Sequence, residues 1–494
     1  MCGHLVGPGT VHAFLAEHRQ RLFADEVFAD LFPTRRGRPS VPADVIATVL
    51  VLQSLEGLSD REAIGALRTN IGWKVAAGLP LHDEGFHPTV LTLWRNKLRA
   101  STAPERIFDI VRAAAAESGV LTGKTRRALD STVLDDCVTR EDAIMQLVAQ
   151  IRRVRRLVPE VQRAYLRGHD YDDPARKPLC DWDDPADIDR VVTLLVNDAL
   201  EVLAICEDLT LTGEAAEAVG LLGLIAGQDT EPGDRPGTWR IAQRTAPDRI
   251  ISTVDPESRH THKTSHSYRD GFKAHVAIEP DTGLITACEL TAGNTTDATT
   301  APELLAGETG PVEVLGDSAY GSGDLRAHLA QHGHTATIKP GPLRPAIEGG
   351  FTIDDFEINT TERTVTCPAG HTVTIRRSGA ASFTKHCDTC PLRHLCTSAK
   401  RGRVVRVNEH HDLLATARRT ATTDTFQNTY RQHRPMVERS LAWIVRRYRK
   451  VRFRGIERNR IGLAHRCAAV NLTRLVTLGL THNGTTWTTT PTAA

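Results

Sequence analysis

The chain has 494 residues, of which 40% are hydrophobic and 24% charged, and its formal net charge is +1. This composition is that of a folded globular protein with roughly two to four domains, and it excludes a disordered chain or a small disulfide scaffold. The first residues lack the basic and apolar segments of a secretory signal, and no apolar run is long enough to cross a bilayer. We therefore expect a cytoplasmic protein without a membrane partner.

The near-zero net charge conceals a strongly basic segment near the end of the chain. Residues 431–460 contain eleven Arg or Lys but only two acids, Glu438 and Glu457. A localised basic surface on a near-neutral protein is typical of polyanion binding. The sequence thus favours a nucleic acid as partner.

The first hundred residues show several helical patterns. Apolar residues recur at helical spacing in 11–32, Ser59 and Glu62 form a capping box, and 88–99 is a further helix that carries Arg95 and Lys97. Residues 34–39 form a basic linker. Short helices with a basic last member predict a helix-turn-helix-like DNA-binding module, and an all-α interaction domain explains the pattern equally well.

The middle of the chain alternates strand and helix signals. Residues 126–134 predict a strand with Asp130 in its middle, and 137–250 then read as a helical insertion. Strand signals return in 272–290, and a later short strand ends at Asp317, where a loop opens before the next helix. This order predicts a mixed α/β sheet in which the strands of Asp130 and Asp317 are neighbours.

A third acid completes a possible metal site. The predicted helix 426–448 carries Glu438 and could pack across the two strands, beside Asp130 and Asp317. Three carboxylates at one place require a counter-charge, which indicates Mg²⁺ or Mn²⁺ and a two-metal phosphodiester chemistry. Each acid also has an ordinary explanation, as a helix cap or an ion-pair partner, and spacing alone does not decide.

Four cysteines lie within thirty residues of one another. Cys387 and Cys390 form a Cys-x2-Cys knuckle, and Cys367 and Cys396 flank it. Four thiolates would satisfy tetrahedral Zn²⁺ in a closed structural site. The alternative is a set of scattered buried cysteines, as we expect for the other six.

A series of motifs, in the same order along the chain, resembles the DDE transposases of bacterial insertion sequences. The resemblance is to the insertion sequence 1182-like branch of the insertion sequence 4/5 group. The residues that carry it lie at 57–62, 94–98, 128–132, 271–277, 292–297, 315–320 and 434–438.

The resemblance implies an architecture for the whole chain. It implies an α/β RNase H-like, retroviral-integrase-like catalytic core with a helical insertion and a zinc-knuckle insertion, together with an all-α N-terminal domain. We expect these units at 1–105 (helical DNA-binding domain), 120–136 and 255–340 (first part of the core), 137–250 (helical insertion), 341–420 (insertion with the four-cysteine zinc knuckle), 421–478 (core helices with the catalytic Glu) and 479–494 (disordered tail).

The resemblance also implies an activity and its residues. The protein would bind the terminal inverted repeats of an insertion sequence, and cleave and transfer DNA strands through Asp130, Asp317 and Glu438 with two Mg²⁺ or Mn²⁺ ions. It would act as a homodimer on paired ends and target DNA, associated with the bacterial nucleoid. The residues predicted to contact DNA are Lys273, Tyr320, Arg434, Arg439, Arg446, Arg447, Arg95 and Lys97.

One departure from the family pattern concerns the Glu motif. Tyr430 lies one residue early, and Val445 stands where a Lys is expected, with Arg446 one position later. The detailed cleavage route, including any hairpin intermediate, stays open for this reason. Two other functions are compatible with the residues: a stand-alone RNase H-like nuclease, and a non-catalytic zinc-containing DNA-binding regulator.

Overall fold

The computed structural model describes residues 2–33, 40–173, 177–264 and 267–489. The predicted basic linker, 34–39, lies outside these ranges. Within them, no helix combines the length and apolar character needed to cross a membrane.

The N-terminal part of the chain is a group of packed helices. The predicted capping box forms, because Ser59 Oγ accepts the backbone N–H of Glu62 and the Glu62 carboxylate accepts that of Ser59. The first helix ends at Leu22 and a 3-10 segment, Asp25–Leu31, follows, so the helix predicted over 11–32 is shorter than expected. The helices are α1 (Val11–Leu22), α2 (Ala43–Glu56), α3 (Asp60–Thr69), α4 (Ile71–Ala77), α5 (Thr89–Ala100) and α6 (Arg106–Glu117).

The chain then forms one long strand and leaves it for an insertion of helices. The insertion has a hydrophobic cluster of its own, around Val148, Leu195 and Leu222, and is therefore packed as a unit. Its elements follow the strand β1 (Arg126–Asp135) and are α7 (Ala143–Leu157), α8 (Pro159–Gln162), α9 (Pro185–Glu207), α10 (Gly213–Gln228), β2 (Thr230–Pro232) and β3 (Trp239–Ile241).

The return from the insertion completes the central sheet. Its elements are β4 (Arg259–Thr264), β5 (Ser267–Glu279), β6 (Leu284–Ala292), α11 (Asp297–Leu305), β7 (Glu313–Gly316), α12 (Gly323–Gln331) and β8 (Thr335–Ile338). The strands lie in the order β6-β5-β1-β7-β8, and β4 pairs with the first part of β5. β5 runs antiparallel to β1, while β7 and β8 run parallel to it. β1 and β7 are therefore neighbours, as predicted.

A second insertion of short elements separates the sheet from the last helices. A small hydrophobic cluster that includes Val365, Ala381 and Phe383 holds it together. The elements are β9 (Glu357–Asn359), β10 (Thr364–Thr366), β11 (Thr372–Thr374), β12 (Ala380–Ser382), α13 (Thr384–Cys387), α14 (Arg393–Cys396), β13 (Val404–Arg406) and α15 (His411–Ala421).

Two long helices and a hairpin end the described chain: α16 (Asp424–Val445), α17 (Ile456–Thr477), β14 (Leu480–His482) and β15 (Trp487–Thr489). Trp487 packs against Phe14 and His18 of α1, with ring centroids 5.8 and 5.6 Å apart. The disorder predicted for 479–494 is therefore wrong for the hairpin, because a buried aromatic side chain anchors it. Residues 490–494 lie outside the described ranges.

The sheet is covered on both faces. One face shares a continuous hydrophobic cluster with the N-terminal helices and α17, so these helices are not packed as a separate body. The other face carries α11 and α12, whose cluster includes Leu129, Val314 and Leu325. β1 and β7 lie between these two layers, and their ends hold the residues considered next.

Candidate active site

Asp130 and Asp317 lie at the same level of the sheet. In the parallel pairing of β1 with β7, Ala128 lies opposite Leu315. Each aspartate follows its paired residue by two positions, so both leave the sheet on the same face. The structure thus brings these two predicted site residues together.

Arg434 of α16 joins the two carboxylates. Its Nη2 lies 2.7 Å from Asp130 Oδ2 and 3.8 Å from Asp317 Oδ2, and its Nη1 donates to the Leu129 carbonyl at 2.6 Å. Arg434 is only 6% exposed. The sequence predicted a DNA contact for this residue, but its side chain is buried and directed inward at the acids.

Burial shifts the pKa values of Asp130 and Arg434. Burial raises the pKa of Asp130 above its ordinary value; Arg434 and the Ser131 N–H oppose this rise, while Asp317 adds to it. Burial also lowers the pKa of Arg434, but Asp130, Tyr430 and Asp317 more than reverse that effect and leave the pKa raised. Asp130 is therefore a carboxylate whose ionised form depends on a nearby cation.

Glu438 reaches this region along α16. It lies one turn after Arg434, and Tyr430 lies one turn before, so the three share a helix face. Burial raises the pKa of Tyr430, and the charges of Asp317, Asp130 and Glu438 contribute. Glu438 itself is exposed. Among the residues that the structure describes, no three His, Cys, Asp or Glu side chains form a group that could hold a metal ion. Two acids of the predicted triad are thus gathered, and the third is presented by the neighbouring helix.

Asp297, at the start of α11, is a further acid that contacts β1 on the face opposite Asp130 and that sequence reasoning did not assign to the site. Ser131 Oγ donates to its Oδ1 at 3.0 Å, and Lys273 Nζ lies 3.1 Å from the same atom. Lys273 also donates to the Thr295 carbonyl at 2.6 Å, so its predicted contact with DNA competes with two internal partners. The sequence held two signals for Asp297: it closes the 292–297 motif of the family resemblance, and it starts the helix that follows a core strand.

Tyr320 packs in the hydrophobic cluster on the face of the sheet that carries α11 and α12, with Leu129 and Val314. It is fully buried, and a Cβ at Gly316 would lie 3.0 Å from Tyr320 Cβ, so the glycine makes room for the ring. Burial raises its pKa well above the ordinary value, and Asp297, Asp130 and Asp317 add to the rise. Its hydroxyl has no hydrogen-bond partner among the described residues. The predicted contact with DNA is wrong, because no part of this side chain reaches the surface.

The other predicted DNA contacts fall into two groups. Arg439, Arg446 and Arg447 are exposed on or just beyond α16. Arg95 instead pairs with Asp60, and Lys97 Nζ donates to the Leu31 carbonyl at 2.8 Å, so both have partners inside the N-terminal helices. The structure presents the first group to solvent and engages the second in the fold.

The four clustered cysteines line one small cavity of about 20 Å³, which is the size of a single water molecule or ion. Burial raises the pKa of Cys396, Arg403 opposes the rise, and Cys387, Cys367 and Cys390 add to it. The Arg403 N–H also donates to Cys387 Sγ at 3.3 Å. The thiols are thus close neighbours, although in the described part of the chain they do not form a ready ligand group.

Comparisons with known proteins bear on both ends of the chain. A family model described as "Transposase DDE domain" matches residues 366–476, which include the cysteine cluster and Glu438. A second, described as "Transposase domain (DUF772)", matches residues 11–97, the N-terminal helices. No curated protein and no solved structure matches the chain. Neither family match extends over Asp130 or Asp317.

Proposed function

Because this chain belongs to the DDE transposases, enzymes that cleave DNA and transfer the cut strand, we propose that it acts on the terminal inverted repeats of an insertion sequence. The observation that carries the assignment of the site is the bridge from Arg434 to Asp130 and Asp317. It marks the place where two acids from neighbouring strands already share a cation. We propose Asp130, Asp317 and Glu438 as the catalytic triad.

The proposed triad fits divalent ions in the kind of atoms that it offers. Carboxylate oxygens are the hard ligands that Mg²⁺ and Mn²⁺ prefer, and Asp130 is buried enough to need a positive partner. When bound, such ions would activate the attacking oxygen and stabilise the leaving oxygen of a phosphodiester. Arg434 holds the two aspartates in place, since its guanidinium also bonds the β1 backbone at Leu129.

The exposed arginines on and just beyond α16 supply the DNA contacts in this proposal. Arg439 follows Glu438 directly, and Arg446 and Arg447 lie about two turns further along the chain. Guanidinium groups suit phosphate oxygens, and such contacts position the duplex without reading its sequence. The family resemblance supports a homodimer on paired ends and the 1182-like branch, which remain predictions.

A structural Zn²⁺ at Cys367, Cys387, Cys390 and Cys396 is a second part of the proposal. Thiolates suit Zn²⁺, and the four side chains surround one cavity. Metal analysis of the folded protein should find about one equivalent of zinc that is lost in Cys390→Ser and kept in Cys180→Ser, whose thiol lies in the helical insertion. Well under one equivalent in the unaltered protein would remove this proposal.

DNA cleavage tests the triad. Cleavage of end-containing DNA in Mg²⁺ should fall at least a hundredfold in Asp130→Asn, Asp317→Asn and Glu438→Gln. Asp324→Asn is the matched control, because its side chain is 92% exposed on α12. Normal cleavage by Asp317→Asn would show that the assignment of the site is wrong.

A further inference from the structure

A large cavity lies between the N-terminal helices and the end of α16. It has a volume of about 800 Å³, within the usual size of small-ligand sites. Residues of α2 form one wall, and α17 and the segment around Trp443 form the others. Four arginines line it: Arg446, Arg447, Arg466 and Arg474.

Within the described residues, the arginines of this cavity form no close ion pair with a carboxylate. Throughout the described ranges, none of the four has an acidic oxygen within 4.0 Å. Among the described lining residues the acid is Glu56, and it is already engaged: His12 Nε2 lies 3.5 Å away and Trp73 Nε1 donates to it at 2.8 Å. These two contacts and, as a smaller contribution, the charge of Arg447 lower the pKa of Glu56. The cavity therefore keeps an excess of positive charge, which a negatively charged ligand would neutralise.

Two of the four guanidinium groups are held in place before any ligand arrives. Arg466 lies over the Tyr448 ring at 3.8 Å, and Arg474 lies over the Trp443 ring at 5.6 Å. Arg474 also donates to the Thr282 carbonyl at 2.7 Å. Fixed guanidinium groups lose little entropy when they bind phosphate, so the arrangement favours phosphate recognition.

The depth of the cavity limits what can enter. Arg466 is 6% exposed, and its Nε is buried without a hydrogen-bond partner among the described residues. A duplex is too wide to reach such a group, whereas a single nucleotide or the end of a single strand is not. Because Trp443 follows Glu438 by five residues, the cavity begins about 8 Å further along α16. A strand end leaving the proposed active site would have only a short distance to travel.

We propose that this cavity binds the phosphates of a nucleotide chain end, either one or two unpaired nucleotides of the transposon DNA or a free nucleoside polyphosphate. The inference rests on the proposed function, because Arg446 and Arg447 are also among the proposed DNA contacts. Both ligands share the same chemistry, which is two or more adjacent phosphates on a nucleoside.

Binding measured without divalent ions tests the inference. The probes are a fluorescent, 5′-phosphorylated single-stranded tetranucleotide and, separately, ATP. Arg447→Gln removes one guanidinium, and Thr473→Trp fills the cavity from α17 without changing any charge. Both variants should weaken binding at least tenfold, whereas Arg377→Gln, an exposed arginine of the second insertion, should leave it unchanged.

The outcomes distinguish the two candidate ligands, and they also distinguish this inference from the proposed catalytic triad. Tighter binding of the tetranucleotide assigns the cavity to a DNA strand end, and tighter binding of ATP assigns it to a free nucleotide. If neither probe binds, or if Thr473→Trp binds as well as the unaltered protein, the inference is overturned. Cleavage plays no part in this readout, so a failure of the proposed triad would leave the binding result unaffected.

Discussion

Replacing Arg434 by methionine would remove the guanidinium that lies between Asp130 and Asp317 while keeping most of the side-chain volume. Asp130, with 14% of its side chain exposed, would then be a buried carboxylate without its ion-pair partner. Breaking a buried ion pair from one side typically costs about 3–5 kcal/mol. Asp317, with 44% of its side chain exposed, can be solvated instead. We therefore expect a loss near the lower limit, about 3 kcal/mol.

Urea unfolding followed by circular dichroism, with and without Mg²⁺, measures this loss. A cation held by the two aspartates would replace the missing charge, so Mg²⁺ should stabilise Arg434→Met more than the unaltered protein. At about ten times its dissociation constant, the ion would restore about 1.4 kcal/mol. Arg439→Gln, an exposed neighbour on the same helix, should change stability by no more than about 0.5 kcal/mol.

A double variant shows whether the lost stability arises from the charge pair. Asp130→Asn removes the carboxylate that Arg434→Met leaves unpaired, so the two substitutions together should cost clearly less than the sum of their separate effects. Additive losses, together with the same response to Mg²⁺ in all variants, would refute the view that this pair is a cation-binding site.

Three further results follow from buried side chains and close backbone contacts. Burial lowers the pKa of His275 to about 4 and that of His465 to about 3, so both stay neutral in the folded state. The stability that is present above about pH 6.5 should therefore fall on acidification. Urea titrations at about pH 5 should show a loss of about 2 kcal/mol for each histidine. His275→Gln should reduce this dependence on pH, and an unchanged profile would contradict the assignment. A Cβ at Gly271 would lie 2.1 Å from the Leu134 carbonyl oxygen, so Gly271→Ala should lower the unfolding free energy by about 2–3 kcal/mol, and a neutral effect would contradict the close strand pairing. Asp297→Asn should weaken the ion pair with Lys273 and reduce the rate of DNA cleavage more than it alters folding. Comparing the cleavage rate with the melting temperature checks this. A fall in cleavage that the loss of folded protein fully explains would indicate a structural role only.

The order of elements around the central sheet was predictable because each strand and helix has a clear local pattern. Asp130 and Asp317 could be paired from that order, because it makes their strands neighbours. The structure adds the register, in which each acid follows the Ala128–Leu315 pair by two residues. The direction of side chains was not predictable in the same way. Arg434 lies in a run of basic residues that resembles a DNA-binding surface, yet it is buried against the acids.

Other differences arise from contacts between residues far apart in the sequence. Tyr320 follows Asp317 in a loop and reads as an accessible ring, but Gly316 leaves room for it to fold into the core. The Thr-rich end of the chain has the composition of a disordered tail, but the Trp487 ring packs against Phe14. Asp297 is held by Lys273 of β5 and Ser131 of β1, two contacts that join residues far apart in the sequence.

The central claim, that Asp317 binds a catalytic divalent ion, is tested most directly by changing its metal preference. Asp317→Cys replaces a hard oxygen ligand by a softer sulfur, which binds Mn²⁺ in preference to Mg²⁺. We predict that this variant fails to cleave end-containing DNA in Mg²⁺ and regains measurable cleavage in Mn²⁺. Equal cleavage by the variant in the two metals would contradict the claim.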